Sequence, residues 1–145
     1  MSAEGSPARR PRRPTASEVV GGLFVGGEPD SLRFEGARIC VRDQDAPPTR
    51  SSDVHLPVYD PVLRQPIREN LDRVADRIEQ SRAEGRPVLV YCGFGHRRAP
   101  LAAVWYLHRV LGIGLDEAYD RVRVVRPGVE HVRRWIGEVS ALERG

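Results

Sequence analysis

Cys92 is the residue around which a reaction could be built. It follows the β-favouring run Val88-Leu89-Val90-Tyr91 and precedes Gly93-Phe94-Gly95-His96-Arg97-Arg98, after which Ala99-Pro100 opens an apolar helical pattern. A strand, a glycine-containing loop and a helix in that order aim successive backbone N–H groups and a helix N-terminus at one small anion. The same positive end favours the charged form of a thiol, and a thiolate attacks phosphorus at neutral pH. Gly93 and Gly95 leave out side chains that would block the approach of backbone to phosphate oxygens. Arg98 supplies a planar fork for two equatorial oxygens of a transferring phosphoryl group, which a lysine would not reproduce. Residues 93–98 are therefore read as a phosphate cradle with Cys92 as the nucleophile at its floor. The plainer reading is a buried strand-end cysteine near a surface arginine; the preceding strand and the following helix favour the cradle.

Hydrolysis of a phosphate monoester also needs a proton for the leaving oxygen. Asp60 lies 32 residues before Cys92, at the end of the alternating stretch Asp53 to Val58, and is followed by Pro61. An Asp-Pro pair also simply starts loops, and spacing does not separate the two roles. Asp43, Asp45 and Asp53 are weaker candidates. His96 and Arg97, inside the loop, either make the cradle more positive, which would suit phosphoinositides or polyphosphates, or point to solvent. His108 sits in an apolar helical pattern and reads as a packed histidine, since no other His, Cys or carboxylate stands at metal-ligand spacing from it. Neither a metal nor another cofactor is expected: Arg98 and backbone dipoles supply the positive charge.

The elements that must position these residues follow from periodicity. Val19-Val20 and Leu23-Phe24-Val25 flank Gly21-Gly22 as two short strands; a short helix is predicted over 30–36, and a buried strand over 37–41. Residues 42–52 read as a surface loop, and 61–66 as a Pro-containing loop. Ile67, Leu71, Val74 and Ile78 draw one face of an amphipathic helix over 67–84, ended by Gly85 and Pro87. It returns the chain to 88–91, a strand-helix-strand unit compatible with parallel pairing. Three more helices follow: one through Leu111 with Pro100 in its first turn, one over 116–125, and a last with Val132, Trp135, Ile136, Val139 and Leu142 on its apolar face.

The loop resembles that of the cysteine-dependent dual-specificity and tyrosine protein phosphatases, which reads His-Cys, two residues, Gly, two residues, Arg, then Ser or Thr. Cys92, Gly95 and Arg98 fall in register, while Tyr91 stands for the His and Ala99 for the hydroxyl residue. The segment Asp116 to Val122, with Arg126-Pro127 after it, resembles the helix that follows in the same family. The resemblance runs from about Val19 to Leu142. It implies an α/β fold, a single domain with a central, mostly parallel sheet and helices on both faces. It also implies that Asp60 is the general acid, that substrates are phosphorylated proteins or small phosphate esters, and that a phospho-cysteine forms and is hydrolysed. The missing hydroxyl at Ala99 implies slow breakdown of that intermediate. Alternatives are a phosphate-binding pseudophosphatase of the same fold and a rhodanese-like sulfurtransferase, the latter disfavoured by Gly95 and Asp60.

Length and composition bound the rest. The chain of 145 residues has one domain's worth of core, and no apolar run approaches the roughly 20 residues of a membrane span. All 23 basic residues are Arg, and the net charge of +3 resides in residues 1–17, where four Arg meet one Glu. Residues 1–17 are read as a disordered basic tail and 18–145 as the catalytic domain. A fold without net charge argues against nucleic acid as partner. The two cysteines read as thiols in a cytoplasmic chain, with Cys40 as ordinary core or, as a minor reading, a bonding partner for oxidised Cys92.

Overall fold

The computed structural model describes residues 15–130. Its strands are β1 (Ser17–Val20), β2 (Leu23–Gly26), β3 (Ala37–Cys40), β4 (Val54–His55), β5 (Tyr59–Asp60), β6 (Gln65–Pro66) and β7 (Val88–Tyr91). The helices are α1 (Glu28–Ser31), α2 (Arg68–Ala83), α3 (Arg98–Arg109) and α4 (Leu115–Val125). Five strands form one sheet in the order β1-β2-β7-β3-β4, and β5 and β6 form a separate hairpin. β1 runs antiparallel to β2, and the pairs β2/β7, β7/β3 and β3/β4 are parallel, so the expected mostly parallel sheet is present.

Alternation in β7 explains why it is the central strand. Val88 and Val90 point into the main core with Leu23, Val25 and Ile39, whereas Leu89 and Tyr91 point to the other face with Cys40. Both faces of β7 are fully buried, as its unbroken apolar run requires. The helices are distributed unequally. Leu71, Val74 and Ile78 of α2, the buried run of α3 from Leu101 to Leu107, and Ala118, Tyr119 and Val122 of α4 all join the same core. The second face holds the single-turn α1 and the loop 42–53, with Phe24 and Phe34 packed against the small cluster of Cys40, Leu89 and Tyr91. α2 and α3 are also tied by polar contacts: Trp105 Nε1 donates to Asp72 at 2.7 Å, and Tyr106 OH donates to Glu79 at 2.6 Å.

Several expected boundaries move. The short helix starts at Glu28 rather than Asp30, because the Asp30 carboxylate turns back to accept from Gly27 N at 2.7 Å and so closes its first turn. The strand over 53–58 is reduced to Val54–His55, since Pro57 has no N–H for the ladder. The loop expected over 61–66 is a turn over 61–64, and Gln65–Pro66 form the return arm of a hairpin in which Tyr59 pairs with Pro66 and Asp60 with Gln65. His108 is packed as expected, its Nδ1 2.8 Å from the Ile113 carbonyl. The last helix, through Val132, Trp135, Ile136, Val139 and Leu142, lies outside the described residues.

Candidate active site

The loop between β7 and α3 closes around the sulfur of Cys92. Cys92 is 5% exposed, and its Sγ accepts from Gly95 N at 3.2 Å and from Ala99 N at 3.4 Å. The second donor lies at the start of α3, so the helix end contributes a real N–H to the thiol as the order of elements predicts. Gly95 has φ +78°, and a Cβ there would come within 2.7 Å of the Gly26 carbonyl. Only glycine can occupy this left-handed turn pressed against β2. The loop is further moored by Cys92 N donating to Gly26 O at 3.3 Å and Glu28 N donating to Gly93 O at 2.9 Å.

Beneath the loop lies Arg126, 6% exposed. Its Nε donates to Gly95 O at 3.0 Å, its Nη2 to Phe94 O at 2.9 Å, and its Nη1 to Thr15 O at 2.8 Å. The Asp30 carboxylate stands 3.7 Å away and balances the buried charge. Drawing the Phe94 and Gly95 carbonyls to one side leaves the Gly95 N–H turned to the sulfur on the other. In the sequence Arg126 belongs to the segment that carries the family resemblance after α4, but its separation from the loop gave no signal of this contact.

Cys92, Gly93, Phe94, His96, Arg97, Arg98 and Glu130 line a hollow of about 430 Å³. The charges within it are mostly spoken for. Arg97 pairs with Glu130 at 3.0 Å, and the His96 ring stacks on Phe94 at 6.4 Å and lies against Gly128. His96 and Arg97 thus both line the hollow, with the Arg97 charge met by Glu130. Arg98 donates from Nε and Nη2 to the two Asp43 oxygens at 2.5 and 2.9 Å, and its guanidinium lies 5.4 Å from the Tyr59 ring centroid.

Asp60 is not among the residues lining that hollow. It ends β5, one residue beyond the Tyr59 that covers Arg98, and its Oδ1 accepts from Val62 N at 2.9 Å and Leu63 N at 3.0 Å. The turn-forming role weighed for it is thus present in the structure. The other acids differ: Asp43 holds Arg98, Asp45 shares a smaller hollow with Arg42 and Arg98, and Asp53 is buried on the other face.

Tyr91 points away from Cys92, into a polar network. Its OH donates to Asp53 at 2.6 Å and accepts from Thr49 N at 3.0 Å, and Arg38 grips Asp53 at 2.7 and 2.9 Å. Burial, reinforced by the bond to Asp53, pushes the Tyr91 hydroxyl well above its ordinary value. Burial would raise Asp53, but the hydrogen bonds from Arg38 and Tyr91 outweigh it and hold the carboxyl below the usual range. Cys40 belongs to this same face of the sheet and Cys92 to the opposite one. A bond joining the two sulfurs would require the backbone to move.

Among the described residues no cluster of three or more His, Cys, Asp or Glu could hold a metal ion. No helix among them is long and apolar enough to cross a membrane.

Known proteins resemble this chain in sequence and in fold. A family model, dual specificity phosphatase catalytic domain, matches residues 37–144. Mouse dual specificity protein phosphatase 12 is 33% identical over 123 residues, which cover 77% of this chain and 36% of that protein. The chain thus spans about a third of the length of that relative. Mouse dual specificity phosphatase 28 is 29% identical over 126 residues, covering 81% of this chain and 77% of the relative. Among solved structures, a mouse dual specificity phosphatase crystallised with zinc tungstate superposes with a TM-score of 0.74 at 26% identity, over 98% of this chain and 93% of that one. Human dual specificity phosphatase 28 gives 0.74 at 22% identity over 92% and 96%, a likeness of fold.

Proposed function

Because the chain belongs to the dual specificity phosphatase family, we propose that it hydrolyses phosphate monoesters of phosphotyrosine, and of phosphoserine or phosphothreonine, through a phospho-cysteine. The observation that carries this reading is the Cys92 sulfur beneath the Gly95 and Ala99 N–H groups at the floor of the hollow. In the first step Cys92 thiolate forms the S–P bond as the P–O bond breaks, and Asp60 gives its proton to the leaving oxygen. Backbone N–H groups of residues 93–98 and the Arg98 guanidinium hold the equatorial oxygens. In the second step water forms the new P–O bond, the P–S bond breaks to restore the thiolate, and Asp60 takes the water proton. Asp60 is supported by its place beside Tyr59 and by a turn that uses only Oδ1 among the described residues. The domain assigned to this activity is 18–145, with 1–17 as a basic tail; Thr15 and Ser17 nonetheless contact Arg126. The substrates are phosphorylated proteins or small phosphate esters, and the compartment is the cytoplasm.

At the sulfur, the position of the family's hydroxyl is filled by the buried methyl of Ala99, so the second step is the slow one. A rapid-mixing time course with a chromogenic aryl phosphate tests the scheme. A stoichiometric burst followed by slow turnover, absent in Cys92→Ser, is the expected result. Vanadate binding without burst or turnover would leave a phosphate-reading domain, a second reading favoured by the engagement of Arg98 with Asp43.

A further inference from the structure

We propose that Asp43 competes with the phosphoryl group for Arg98 and thereby weakens oxyanion binding in the cradle. The inference rests on the proposed role of Arg98 in holding phosphate. A guanidinium presents two forks, a side edge of Nε and one terminal nitrogen, and an end edge of both terminal nitrogens. Asp43 takes the side edge completely, at 2.5 and 2.9 Å, with both side chains about three-quarters buried. One flat face of the guanidinium is covered by Tyr59.

Arg98 stands at the divide between two hollows. One is the cradle over Cys92, and the other, of about 190 Å³, is lined by Arg42, Asp43, Asp45, Ala46, Gly93 and Arg98. Asp43 holds the guanidinium from the second hollow, while a phosphoryl group would draw it from the first. The pair is a charge-assisted fork-to-fork contact of the same type that a phosphate oxygen pair would make. Giving it up is a cost of binding, and keeping it sets a carboxylate beside an incoming dianion.

Asp43 is also held in place from behind. Ala46 N donates to the Asp43 carbonyl at 2.9 Å, and Thr49 and Asp53, farther along the same loop, are bonded to the Tyr91 hydroxyl. The residue that replaces the family's histidine thus braces the loop that occupies the family's arginine. Of the acids near the loop, Glu28 pairs instead with Arg42, at 3.4 Å, and does not touch Arg98.

Vanadate and inorganic phosphate affinities, measured by calorimetry on the full chain and on Asp43→Asn, test this. Asparagine keeps the size and removes the charge. Binding roughly tenfold tighter is expected for the variant, with KM for an aryl phosphate lowered and kcat within about twofold, as for an interaction lost equally in ground and transition states. Glu28→Gln, which removes a nearby charge without touching Arg98, should shift affinity by less than about twofold. Unchanged or weaker oxyanion binding in Asp43→Asn would overturn the proposal, as would an equal gain in Glu28→Gln. No detectable binding by either the natural chain or Asp43→Asn would overturn it too. Tighter binding without turnover in either protein would sustain it while removing the phosphatase reading.

Discussion

At the scale of single residues, the loop around Cys92 depends on a side chain buried beneath it. Arg126 satisfies the carbonyls of Phe94 and Gly95, and its charge is balanced by buried Asp30. Truncating one member of such a pair leaves an uncompensated charge, a loss of about 3–5 kcal/mol. Arg126→Gln should therefore lower the urea unfolding free energy by that order, and Asp30→Asn in the same chain should recover part of it. The recovery is the decisive quantity, because a loss that Asp30→Asn leaves untouched would show that the ion pair is not its source. The turn around Cys92 was legible in the sequence because strand, glycine loop and helix are contiguous there. Arg126, Asp43 and Glu130 reach it from 31, 55 and 33 residues away, and nothing local distinguishes a buried arginine from a solvated one.

At the scale of elements, periodicity succeeded where an element is long and failed where it is short. α2 and α4 lie within one residue of their expected limits, and β7 on its expected residues, because each repeats its pattern over several turns or faces apolar surroundings on both sides. The β5/β6 hairpin has two residues per strand and a proline in its return arm, too little for an alternating pattern to show. Its turn is closed by Arg64 N donating to Asp60 O at 2.7 Å, with Arg64 at φ 60°, the left-handed region that costs a side-chain-bearing residue about 1–2 kcal/mol. Arg64→Gly relieves this while loosening the unfolded chain, for a net gain of up to about 1 kcal/mol. The urea midpoint should rise with its slope unchanged. An unchanged or lower midpoint would mean that the turn does not strain the arginine.

At the scale of the whole molecule, stability should fall on the alkaline side for a definite reason. Burial is the leading cause that holds Tyr91, Tyr106 and Tyr119 above the ordinary tyrosine value. Above about pH 10 the unfolded chain releases protons that the folded one retains, so stability is complete below that pH and declines as pH rises through it. Tyr119→Phe should make the decline shallower, read as Tm against pH. Asp53 works in the opposite sense: its folded value is depressed, so its contribution is present above about pH 4 and is lost as pH falls further.

The reach of Arg126 also bears on the order in which the loop around Cys92 is completed. Its guanidinium joins the loop carbonyls to Thr15 and Ser17, which stand 111 and 109 residues earlier in the chain. Contacts of such separation close after local helices and turns have formed, since the intervening chain must first be ordered. The cradle is therefore finished only when the first strand and the end of α4 have met. A newly made or partly unfolded chain carries Cys92 without the backbone N–H groups that surround its sulfur, so the setting of that thiol is completed only with the fold.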